Sequence, residues 1–417
     1  MEEREILQER LELALLRIRE IPGEDFQGAE LLPWKEYFTT VAKFLLLIED
    51  TRQFLEQGKQ ATATLEELQQ RNRALYEDIL PENYENSFAN PAYAVKMLGE
   101  EFGVLVSFLY TEMRSLIGFT YEGRLDELVI RMELFSEVYA AFVYEQQENH
   151  KLPTYAAIRE ILYWFVSDYA DVAAEERVRE MVCPENNFAA AILRTADFTD
   201  LRYLYAYGEY VGENELKMAE FMNSLPEEII NTMADTYTEG YRIGFEVTGK
   251  DLSKKAVVDV RYQLGFERMI RAAIRQFEEM GLEVILYRAA VWSVTMSPNR
   301  RIGYHGTSAN MQFDYDHRYD QAIYLDKAFK ERKLAVLRTA YENCKKQAAE
   351  YAGPAVVETF GEDGFEPVNK PEAYSLSEKQ EELQIAYSNE AMPVVNQYIP
   401  GDETSFTIIA FPVPAIG

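Results

Sequence analysis

From Glu3 to about Gly249 apolar residues return at helical spacing almost without interruption, and after Gly249 the pattern switches to helix, glycine, strand. This switch constrains the fold more than any other feature, because a spacing near 3.6 residues and an alternation of helices with short apolar runs require different architectures. Ile6, Leu7, Leu11, Ala14 and Ile18 form one stripe, and Trp34, Tyr37, Phe38, Val41, Phe44, Leu45 and Ile48 a second. Leu125, Leu128, Met132, Phe135, Val138, Tyr139 and Phe142 form a third. Breakers stand where helices should end, at Pro22-Gly23, Pro81, Asn90-Pro91, Pro153, Pro184 and Pro226. The expectation is an all-helical domain over 1–249, with roughly eight or nine helices of ordinary length. The aromatic runs Tyr203 to Tyr210 and Ile158 to Asp171 read as helix faces packed in a large core.

Beyond Gly249 the sequence predicts a helix over Ser253–Met280 closed by Gly281, and then a strand over Leu282–Tyr287. A second helix over 324–351 leads through Gly353 to a strand at Ala355–Thr359, and a third over 377–397 leads to a strand at 405–411. Parallel strands need crossovers, and helices supply them, so residues 250–417 are expected to form a small parallel-sheet α/β domain. The last strand, apolar on both sides, is expected to be one of its central members. The expected fold class is therefore a large all-helical N-terminal domain followed by a small α/β domain.

Charge limits the partners. With 42 Lys and Arg against 71 Asp and Glu, the formal charge is −29, and such a surface repels phosphate backbones and anionic lipid. Nucleic acid and membrane are expected not to be partners. The longest apolar runs, around Leu46 and Leu105, are too short to span a bilayer, and no basic-then-apolar leader follows Met1, so a cytoplasmic protein is expected. Cys183 and Cys344 have no ligand-like spacing and read as two thiols in a reducing compartment.

Chemistry concentrates after the Leu282–Tyr287 strand, where ligands of open α/β sheets bind. His305, Asp314, Asp316, His317 and Asp320 fall within sixteen residues. Imidazole and carboxylate at this density suit a metal, a general base, or a loop that contacts substrate or another subunit. Acidic capping at a helix start accounts for Asp316 and Asp320 equally well. Ser308 lies three residues from His305 but in no GxSxG elbow, and no glycine run matches a phosphate loop. His150 reads as a polar residue at a helix C-terminus, and paired acids such as Glu66-Glu67 as solvated helix faces.

The run from Tyr319 to Pro367, with the closing DETSFTIIAFPVPAIG, resembles the aminopeptidase T and aminopeptidase S metallopeptidase family, in particular its leucyl-aminopeptidase branch. Phe411-Pro412-Val413-Pro414 is similar to the aromatic-Pro-x-Pro turn that ends the family's N-terminal α/β domain, and the likeness covers about Lys255 to Gly417. The resemblance implies two divalent metals, Zn or Co, held by Glu, His, Tyr and Asp in a further catalytic domain, with none carried by this chain. It also implies peptides as partners and a possible homodimer. The expectation is a non-catalytic front portion of a longer metallopeptidase, contributing substrate access and subunit contacts. The alternative is a complete binding or scaffold protein whose helical domain holds a protein partner.

Overall fold

In the computed structural model, residues 2–24, 31–184, 188–286, 288, 290–291, 307–362 and 364–416 are described. His305 lies outside them. Helices α1 (Glu2–Glu20), α2 (Leu32–Glu56), α3 (Leu65–Tyr76), α4 (Pro91–Leu98), α5 (Gly103–Arg114), α6 (Leu116–Tyr121), α7 (Leu125–Asn149) and α8 (Tyr155–Asp168) open the chain. Four more follow before the sheet: α9 (Ala170–Val182), α10 (Phe188–Thr195), α11 (Glu213–Ser224) and α12 (Glu227–Val247). Among the described residues twelve helices precede the sheet where eight or nine are expected, because breaks of a single residue, at Ser115 between α5 and α6 and at Tyr169 between α8 and α9, divide what reads as continuous periodicity.

Local chemistry sets the boundaries. Thr64 and Glu67 exchange backbone and side-chain hydrogen bonds in a capping box that starts α3. The Asn90 side chain accepts from the Ala92 amide while Pro91 occupies the first turn of α4. His150 ends α7 in the left-handed region at φ 54°, the helix-terminal role expected of it.

The remaining elements are β1 (Val257–Arg261), α13 (Glu267–Glu279), β2 (Glu283–Ile285), α14 (Met311–Asp316), α15 (Lys327–Asn343), α16 (Lys345–Ala349), β3 (Tyr351–Phe360), α17 (Glu378–Tyr398) and β4 (Thr407–Pro412). All neighbouring strands pair in parallel, in the order β2-β1-β3-β4. A helical N-terminal part with a small parallel α/β sheet is thus the observed fold class.

Two expectations are corrected. The helix expected over 253–280 is instead β1 followed by α13. The β-branched run Val257-Val258-Asp259-Val260 is buried at every position, and the charges that mimic a polar helix face form an internal ion pair, Asp259 to Arg261 at 2.8 Å. The last strand is an edge strand, not a central one. Its apolar composition suits burial on both faces, but only one face is covered.

The cores run across residue 249. Phe313, Ile323, Tyr324, Leu325 and Phe329 pack among Phe38, Phe108 and Phe135 of the bundle. Conversely, Met218, Ile230, Tyr237 and Phe245 join Val258, Val260 and Val357 of the sheet. On the opposite face Val178 and Val182 of α9 meet Ala340 and Tyr341 of α15 and Cys344, which follows that helix, so α9 links the bundle to the sheet layer. Both cysteines are buried there and form no disulfide. Among the described residues, no helix is long and apolar enough to cross a membrane.

Candidate functional site

Of the residues singled out in sequence, Asp316, His317 and Asp320 come together, but away from solvent. Asp316, His317 and Asp320 are each 2% exposed or less. Helix α14 is started by Asn310, whose side chain accepts from the Gln312 amide, and it ends at His317. The helix-start account fails for Asp316, the last residue of α14, whereas Asp320 does stand in the first turn of a 3₁₀ helix, Asp320–Ile323, with its carboxylate turned to His317; the side-chain cap of α15 is Asp326, accepting from the Phe329 amide at 2.8 Å. Asp314 is half-buried on α14, and two residues of helical rotation separate it from Asp316.

Four segments contribute to the cluster. The Asp316 carboxylate accepts from Tyr84 Oη at 2.8 Å and Lys370 Nζ at 2.6 Å on one oxygen, and from Gln312 Nε2 at 2.7 Å on the other. Lys370 also donates to Asn90 Oδ1 at 2.9 Å. His317 Nδ1 lies 2.8 Å from Asp320 Oδ2, while Nε2 lies 2.6 Å from the Ala89 carbonyl oxygen and 3.1 Å from Thr111 Oγ1. A carboxylate and a carbonyl only accept, so both ring nitrogens must donate, and the imidazole is held as a cation. Burial works against that charge, but the Asp320 carboxylate, its hydrogen bond and the Ala89 carbonyl outweigh it, and the His317 pKa is raised.

Thr111, His317 and Asp320 have the connectivity of nucleophile, base and orienting acid. An imidazolium with both protons committed is no base, and Thr111 is 2% exposed. The cluster acts as a clasp that fastens residues 310–320 and Lys370 to the bundle at Tyr84–Asn90 and α5.

A second polar group, not anticipated from sequence, closes the carboxyl ends of β1 and β2, the usual ligand position in such a sheet. Arg288 makes a two-pronged pair with Glu209, at 2.5 and 2.7 Å, and donates to the Tyr262 carbonyl oxygen. Tyr207 and Tyr262 hydroxyls lie 3.3 Å apart, and Tyr203 donates to Glu267 at 3.0 Å. Burial pushes the Glu267 carboxyl up to about 7. The run Tyr203–Tyr210 thus fills this corner with the chain's own side chains. The available signal was the glutamate between tyrosines at Glu209, which no apolar helix face requires.

Asp126, Glu127 and Glu176 present carboxylate oxygens within 4.8 Å of one another, a spacing that suits a metal. The centre is filled by Arg124, whose Nη2 reaches Asp126 at 2.9 Å, Glu127 at 3.3 Å and Glu176 at 2.6 Å. These residues therefore do not fit the two-metal centre that the peptidase resemblance implies.

Between α2 and α3 runs an open groove of about 580 Å³, lined by Leu47, Phe54, Ala63, Ala74, Lys59 and Arg71 among others. The Arg71 guanidinium lies 4.0 Å above the Phe54 ring. Comparison with protein-family models, curated proteins and solved structures finds no match.

Proposed function

We propose that this chain is the N-terminal, non-catalytic region of an aminopeptidase T-like metallopeptidase, contributing substrate access and subunit contacts while hydrolysis belongs to another segment. The observation that carries the reading is the parallel sheet with helical crossovers between Val257 and Pro412, the stretch over which the sequence resemblance runs. The use of Asp316, His317 and Asp320 in a buried clasp agrees with a supporting role for these residues. Zn or Co would belong to the hydrolytic segment.

Intact mass of the native polypeptide tests this reading. A chain that continues into a segment with Glu, His, Tyr and Asp ligands is expected. A native product ending at Gly417 would overturn it and favour the second reading, a complete binding protein of the cytoplasm whose helical part holds a partner. The α2–α3 groove, with Phe54 and Arg71 on its wall, favours that alternative.

A further inference from the structure

Strand β4 has the composition of a buried strand and the position of an exposed one. Its inner face, Thr407, Ile409 and Phe411, packs toward α12 and α13, with the Phe411 and Phe266 rings 5.2 Å apart. Its outer face is bare: Phe406 is 64% and Ile408 51% exposed, and Ala410 and Pro412 follow on the same side. Phe360 and Ile416 extend the patch. Among the described residues no strand pairs with β4 on the side away from β3.

Edge strands are normally guarded by lysine, an internal proline or a bulge. From Ser405 to Gly417 there is no charged residue at all, in a chain with 113 of them (71 acidic and 42 basic), and Pro412 stands only at the strand's end. This unguarded edge is also a surface at which two copies, each of formal charge −29, can meet without placing like-charged side chains of β4 in contact.

We propose that β4 is a self-association edge, at which a second copy of this chain adds its own β4 in antiparallel pairing about a two-fold axis normal to the sheet. The result is a continuous eight-stranded sheet, twice the four strands of one copy. The alternation of the burial pattern restricts the register. Directly opposed residues share a face, so exposed positions 406, 408 and 410 must oppose exposed positions, and of the registers that allow this, those with the longest overlap of two strands spanning Thr407–Pro412 put the axis through Ile409 or Ala410. In the first case Ile408 faces Ala410 of the partner; in the second it faces Pro412. Either way the two bare strands shield one another. The proposal does not depend on the peptidase reading.

Sedimentation equilibrium of the whole chain tests it. A concentration-dependent dimer is expected, tighter at high salt because screening relieves the repulsion between two acidic copies. Ile408→Glu, which places like charges near the axis on an already exposed position, is expected to weaken dimerisation at least tenfold without loss of helical circular dichroism. A cysteine at Ala410 meets its counterpart at about 5 Å or, in the alternative register, about 7 Å, so a short bis-maleimide should link two copies. A monomer up to about 100 µM, far above the micromolar range of ordinary interfaces, overturns the proposal. A dimer that survives Ile408→Glu and resists linking at 410 also overturns it.

Discussion

Replacing Asp320 with Asn removes the negative partner of His317 while keeping its shape. In the native clasp the imidazolium donates to Asp320 at 2.8 Å and to the Ala89 carbonyl at 2.6 Å, with both side chains at most 2% exposed. Without the carboxylate, His317 either keeps a buried charge with no anion or sheds a proton. A neutral ring keeps one N–H for the Ala89 carbonyl and can accept at Nδ1 from the introduced amide, so a charge-assisted hydrogen bond is exchanged for a neutral one. A lost charge-assisted hydrogen bond costs about 1.5–3 kcal/mol, and a broken buried pair about 3–5 kcal/mol. We expect a loss of about 3 kcal/mol at pH 6, read as a lower urea midpoint with unchanged slope. The pH dependence has a definite sign. The His317 pKa is raised on folding, so the clasp's contribution is complete below the unfolded value near ~6.5 and declines as pH rises through the folded value. The gap between native protein and variant should therefore narrow in alkali. A variant within about 0.5 kcal/mol of native at pH 6, within the range of ordinary surface substitutions, or a gap that widens with pH, refutes the reasoning.

Arg131, fully buried, bonds Glu112 at 3.0 Å and also Glu127. Arg131→Leu takes a buried cation from both carboxylates, of which Glu127 keeps Arg124, and should cost about 3–5 kcal/mol, measured by the same urea titration. Gly353 has φ +112°, and a Cβ there would run into the Ser405 carbonyl oxygen, so Gly353→Ala should cost about 3 kcal/mol or more and expose the β3–β4 pair to hydrogen exchange. Burial and Glu180 push the Glu122 carboxyl up to about 8. A raised carboxyl pKa means that stability falls as pH climbs from the unfolded value through the folded one. Glu122→Gln should therefore be more stable than native protein at pH 8.5 and similar at pH 5, by thermal unfolding.

Much of the architecture was legible because it rests on periodicity. The stripes at Trp34–Ile48 and Leu125–Phe142 became the buried faces of α2 and α7, and Gly281, at φ 85°, separates α13 from β2 as a helix-ending glycine should. Strand β1 was hidden because Asp259 and Arg261, read singly, look solvated, whereas in the sheet each neutralises the other. The edge position of β4 was hidden for a related reason: local composition reports a strand's suitability for burial, not the number of its neighbours. For the site, the density of His and Asp near 314–320 marked a real cluster, but its partners Tyr84, Ala89 and Thr111 lie more than 200 residues away in sequence. Only the fold distinguishes an open polar site from a closed clasp.

The most direct test of the account is amino-acid release from short peptides by the purified chain, with Zn or Co added. The account predicts no release above the metal-only control. Robust turnover that requires the metal and disappears in Asp316→Asn or His317→Gln, with folding retained, would contradict it and place chemistry where a clasp is described.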